Sequence, residues 1–157
     1  MPPAAAPLNT PQVFPTRYLD SFPLKAATRI FAGTLVAVDA EGLAQPASDS
    51  ADLLVKGRAA QTVDNRDGDD GDLRVTVDLG VFRYAQTGTP ITRAGFPANP
   101  VAFVADDQTV SADAGDHEVV AGLIYDVSDD GVWVDQNHLA LALARHLATD
   151  PAPEPES

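Results

Sequence analysis

The chain contains no cysteine. Disulfides, thiolate nucleophiles and cysteine-held zinc or iron–sulfur centres are therefore excluded. Cations are scarce as well. Ten Lys and Arg stand against 23 Asp and Glu, giving a formal charge of −13 over 157 residues. Nucleic-acid partners need clustered cations to displace counterions from phosphates, so that class is excluded, and docking on an anionic membrane is disfavoured for the same reason. No apolar run approaches the roughly 20 residues that span a bilayer. The opening MPPAAAPLNTPQVFP has neither a basic start nor an apolar stretch, so no signal peptide is expected there. The expected setting is a reducing cytoplasm, or a particle assembled in it.

What is present suffices for one core. Hydrophobic residues make up 45% of the chain, and its length is that of a single domain. The 13 prolines divide it further: six fall within residues 1–23 and three within 151–155. Proline fixes φ and removes a backbone donor, so residues 1–23 are expected to run as an extended arm, excluded from regular helix and from any central strand. That arm carries Val13, Phe14, Tyr18, Leu19 and Phe22, apolar groups that a solvated tether has no use for. It could fold back on its own barrel or reach a neighbouring subunit, and the second reading is preferred. Residues 149–157 are acidic and proline-rich and read as a solvated tail.

Between the ends the pattern is β. The segment LRVTVDLGV (73–81) alternates aliphatic and polar or small residues, the period-two signature of a strand with one packed face. Further strands are expected over 33–38, 53–60, 101–105, 119–127 and 132–135. Acidic or glycine-bearing turns separate them at 39–42, 64–72, 106–108 and 128–131. Three stretches, GTLVAVDAEGLAQPA, NPVAFVADDQTVSAD and GLIYDVSDDGVWVDQ, repeat one strand–acidic turn–strand grammar. Short strands at such spacing predict a mainly β fold, a small barrel or sandwich over 24–136. A helix is expected over 137–148, where Leu139, Leu143 and Leu147 lie at i, i+4 and i+8 on one stripe and Asp135 or Asn137 could cap the start. LALAL also alternates as a strand would, but the absence of β-branched residues favours the helix.

Catalytic signatures are sparse. His117, His138 and His146 show no metal-ligand or triad spacing, and there is no Gly-x-Ser-x-Gly elbow, phosphate loop or dinucleotide fingerprint. The pairs Asp106–Asp107 and Asp129–Asp130 would serve as acid/base couples only if one carboxyl were desolvated. The densest acidic run, residues 64–72, offers Asp64, Asp67, Asp69 and Asp72 as a weak calcium candidate, a cation that takes six to eight oxygens. An EF-hand register started at Asn65 fails: Asp70 stands where glycine is needed and Thr76 where the bidentate glutamate belongs. A hairpin loop is the default reading of this run, and no cofactor is expected.

Residues 26–135 resemble the head decoration (capsid cement) proteins of tailed bacteriophages. The likeness rests on GTLVAVDAEGLAQPA, LLVKGRAAQTVDN, GDLRVTVDLGVFRYA and VAFVADDQTVSADAGDHEVVAGLIYDVSDDGVWVD. The resemblance implies a small β-barrel with an N-terminal arm, often trimeric, binding the major capsid protein on the outer surface of the virion. It implies no catalysis. The proline arm and the Leu/Ala helix depart from the smallest members of that family. Under this reading the interface anchors are Val13, Phe14, Tyr18, Leu19 and Phe22, and Trp133 either fills the barrel or faces a subunit mate. A second expectation is a ligand- or glycan-binding β-module, with calcium at 64–72; a third, a hydrolase using aspartates.

Overall fold

The structure, a computed structural model, describes residues 18–149. Val13 and Phe14 lie outside the described residues, as do the rest of 1–17 and the tail from 150. Twelve strands precede one helix: β1 (Tyr18–Pro23), β2 (Thr28–Ile30), β3 (Leu35–Val38), β4 (Ala44–Pro46), β5 (Leu54–Ala59) and β6 (Val63–Asn65) form the first half. β7 (Arg74–Leu79), β8 (Val81–Thr87), β9 (Val101–Val104), β10 (Thr109–Ser111), β11 (Val120–Ser128), β12 (Gly131–Asp135) and α1 (His138–Thr149) form the second. The fold is mainly β with a closed barrel, as the alternation predicts.

The barrel is only part of it. Five strands close in the order β10-β8-β12-β11-β9, while β1-β7-β5-β3-β4 form an open five-stranded sheet and β2 pairs with β6 in a separate ribbon. The predicted strand over 73–81 is therefore two strands. The chain turns at Gly80, leaving the open sheet as β7 and entering the barrel as β8. Alternation continues across that corner, so periodicity alone does not mark the change of sheet.

Within the open sheet, β3 is packed on both faces. All four of its residues are buried; Leu35 and Ala37 join the barrel core with Val55, Tyr84, Val104, Val132 and Val134. Val36 and Val38 join a second core with Leu24, Ile30, Ala44, Val75 and Val77, under the β2–β6 ribbon. A run of four aliphatics is what a strand buried on both sides requires. On its neighbour β5, both Val55 and Ala59 are buried yet they serve different cores. Residues four apart should share a face. They do not because the register slips between Val36 and Ala37, where Gly57 pairs with Val36 at φ +147°. This bulge moves the remainder of β5 to the opposite face. A Cβ at Gly57 would sit 2.5 Å from the Asp78 carbonyl oxygen, so backbone passes where a side chain cannot.

Residues 18–23, expected as part of the free arm, pair with β7 from Tyr18↔Leu79 to Pro23↔Arg74 and form the edge of the open sheet. Proline is compatible with this because Pro23 closes an edge strand, where a missing donor breaks no ladder. Helix α1 starts where the Leu/Ala run predicts. Asp135 Oδ1 accepts the Asn137 backbone N–H at 3.0 Å and the Asn137 carbonyl accepts from Leu141 N–H at 2.9 Å. Its orientation differs from the leucine pattern. Ala140, Leu141 and Ala144 face inward, with Leu141 in the barrel core, whereas Leu139, Leu143 and Leu147 are 79%, 44% and 41% exposed. Alanines let the helix axis approach β11 and β9 closely, and that close approach turns the leucine stripe outward.

Candidate interaction surfaces

Tyr18 and Leu19 lie exposed on β1, and the Tyr18 ring meets His138 edge-on at 5.3 Å. This contact sets the start of the described chain beside the start of α1. Phe22 behaves differently. It packs half-buried against the second core, with the Lys56 ammonium 5.6 Å from its ring centroid. Among the proposed anchors Phe22 therefore holds β1 to its own sheet, whereas Tyr18 and Leu19 are presented outward.

The edge that β1 forms is already occupied in part. Leu24 N–H donates to the Leu73 carbonyl at 2.9 Å, so by alternation the main-chain groups of Ser21 point away from β7. Ser21 N–H is taken by Asp20 Oδ1 at 2.8 Å. Its carbonyl and hydroxyl accept from the Arg74 guanidinium, both at 3.0 Å. Pro23 has no N–H to offer. These side chains shield the edge against strand addition.

Trp133 does not fill the barrel. Its neighbours Val132 and Val134 point inward and are fully buried, while Trp133 is on the outer face with the Arg83 guanidinium 5.9 Å from its ring. Arg83 also meets Asp130 at 3.6 Å. Tyr125, exposed by 66%, stands on the bulge of β11 between Ile124 and Asp126, opposite Val134 and Trp133. Trp133 and Tyr125 thus lie close together on one ladder. In VAGLIYDVS, Tyr125 follows inward-facing Ile124 and so points outward by alternation, while the bulge lets Val127 return to the core.

The acidic run 64–72 is a self-bonded loop. The Asp64 carboxylate meets Arg66 through two side-chain bonds, at 2.9 and 2.7 Å, and this partnership holds its pKa down to about 2. Asp72 Oδ2 accepts from Asp69 N–H at 2.9 Å, and Asp70 Oδ1 from Ala26 N–H at 2.8 Å. Buried Asn65 donates its amide to the Lys25 and Asp69 carbonyls. Asp64, Asp67, Asp69 and Asp72 are not brought together as a ligand set; among the described residues no group of three or more His, Asp or Glu side chains converges on one point.

The paired aspartates part company. Burial pushes the Asp107 carboxyl upward, with the adjacent Asp106 charge adding to it. Asp106 accepts Gln108 N–H in the turn at 2.9 Å, and Asp130 faces Arg83. The Asp107 backbone carbonyl accepts from Leu35 N–H at 2.7 Å, tying the barrel turn to the open sheet. His117 sits in a turn capped by Asp49, whose two carboxylate oxygens accept from Asp116 and His117 N–H at 2.9 Å. Between that turn, β5 and α1 runs a shallow cleft that includes Leu53, Leu54 and Arg145. Arg145 donates to the Val55 carbonyl across it at 2.8 Å. Among the described residues no helix is long and apolar enough to cross a membrane.

No family model, curated protein or solved structure matches the chain.

Proposed function

We propose that the protein is a capsid decoration protein of a tailed phage: it binds the outer surface of the head and bridges neighbouring major capsid subunits, stiffening the shell against internal DNA pressure. One observation carries the reading. Residues 101–135, the longest of the stretches on which the likeness rests, form the run β9–β12, which supplies four of the five barrel strands. Its turns place Asp106, Asp129 and Asp130 at the surface. A charge of −13 keeps free copies apart and soluble before a shell exists. It is tolerable on the outside of a head, where no packaged nucleic acid repels it. The protein works by contact and calls for no cofactor or turnover.

The partners in this reading are the major capsid protein and further copies of the chain, as a homotrimer. Many modest contacts then act together through multivalency. Tyr18 and Leu19, with Val13 and Phe14 upstream, are the anchors assigned to the capsid. The test is cosedimentation with expanded empty capsids, comparing the full chain with one lacking residues 1–17. Saturable binding that drops on truncation is expected. No binding to any capsid of the source phage overturns the reading.

Exposed Tyr125 and Trp133 favour one second reading, a glycan-binding module, since planar rings beside Arg83 and Asp126 suit stacking on a sugar. The single tryptophan makes this easy to follow. A saturable change in its fluorescence on adding a glycan would favour this alternative.

A further inference from the structure

The leucine stripe of α1 is the most unusual surface among the described residues. Leu139, Leu143 and Leu147 lie along two turns of one helix and are all exposed, Leu139 by 79%. A helix on a soluble domain usually turns its large apolar side chains inward. Here Ala140, Leu141 and Ala144 face in, while the other three of the four leucines face out. At the helix start the Tyr18 ring touches His138.

We infer that α1 is the contact between copies of this chain, with the Leu139–Leu143–Leu147 faces of three copies packed together about a common axis. The charge distribution selects this occupant. The chain carries −13, so two copies repel over most of their surfaces. From Asn137 to Thr149, however, there is no Asp or Glu at all, and the charged or titratable side chains are His138, Arg145 and His146. Of these, Arg145 is turned toward β5 by its bond to the Val55 carbonyl. The outward face of α1 thus offers an identical, strongly acidic molecule three exposed leucines with no carboxylate on the same helix. A ridge of leucines at i, i+4 and i+8 is also self-complementary, since such ridges fit the grooves of a like helix. The self-bonded edge of β1, with Ser21 N–H and carbonyl already taken, leaves helix pairing favoured over strand addition. The inference deepens the proposed homotrimer but needs no capsid: copies associate through α1 whether or not a shell is the final partner.

The test is the mass of the full chain in solution by sedimentation equilibrium, without capsids, over a range of concentration and salt. An oligomer is expected whose association tightens as salt rises from about 0.05 to about 0.5 M, because screening relieves the repulsion between acidic bodies. Leu143→Glu should raise the dissociation constant at least about tenfold with an unchanged circular dichroism spectrum. In the cysteine-free background, Leu143→Cys should form a disulfide-linked pair on oxidation far faster than Leu73→Cys, which is exposed elsewhere. A monomer at every concentration and salt overturns the inference. So does an oligomer unmoved by Leu143→Glu, or a chain that associates only after residues 1–17 are removed, since the stripe would then be covered by its own segment. Capsid binding measured separately on Leu143→Glu distinguishes failure of this inference from failure of the decoration reading.

Discussion

The Tyr84 hydroxyl donates to the Gln136 side-chain carbonyl across 2.7 Å inside the barrel, and the Gln136 amide in turn donates to the Ala121 carbonyl at 3.0 Å. Gln136 is fully buried, and burial pushes the Tyr84 phenol upward, so it stays protonated and remains a donor. The chain ties β8, β11 and the residue after β12 together just before α1 begins. Gln136→Leu leaves the Tyr84 hydroxyl without that acceptor and should cost about 1–3 kcal/mol in urea unfolding. Tyr84→Phe should cost less than about 2 kcal/mol, and the double variant should cost less than the two together, because both remove one bond. Strict additivity would show that the pair is not coupled.

Gly57 is the hinge by which β5 serves two cores. Gly57→Ala meets both a left-handed backbone and the Asp78 carbonyl, and should destabilise by about 2–3 kcal/mol or more in the same measurement. A change under about 0.5 kcal/mol would mean that the bulge relaxes freely.

Phe22 and Leu19, three residues apart on one strand, should separate stability from binding. Phe22→Ala removes a side chain packed on the second core and should lower stability by about 2 kcal/mol. Leu19→Ala, half exposed, should leave stability within about 0.5 kcal/mol and reduce capsid occupancy. The reverse pattern would reassign both residues.

Acid should loosen the fold. Backbone N–H bonds from Asp116 and His117 hold the Asp49 carboxyl below its ordinary value, and bonds from Thr89 do the same for Asp113. A carboxylate with a depressed folded pKa stabilises the fold above its unfolded pKa. That contribution fades as pH falls through the folded value. Melting temperature should therefore drop as pH falls below about 4. Asp49→Asn should lower it at pH 7, with the gap to wild type narrowing as pH falls. A gap independent of pH would show that charge at Asp49 contributes nothing.

Much of the β pattern was legible, because one-sided strands such as β7, β9 and β12 alternate visibly. The division into open sheet and barrel was not. Gly80 breaks the strand without breaking the alternation, and the Gly57 bulge reverses faces with no sign in the side-chain order. Short strands β2, β4, β6 and β10 are three residues each, too short to show a period. On the surface side, the leucine stripe was plain at i, i+4 and i+8, yet its direction depended on Ala140 and Ala144 fitting closer to β11 than leucine could. For Trp133, alternation with Val132 and Val134 set it on the opposite face from both, but which face was the core could be read only from three dimensions.

The most direct measurement of the central claim is cryo-electron microscopy of capsids mixed with the purified protein. The account predicts ordered density on the outer surface, at junctions between major capsid subunits, with β1 and the chain before it against the shell. Capsids that stay bare at saturating protein, or protein found only inside the head, would contradict it.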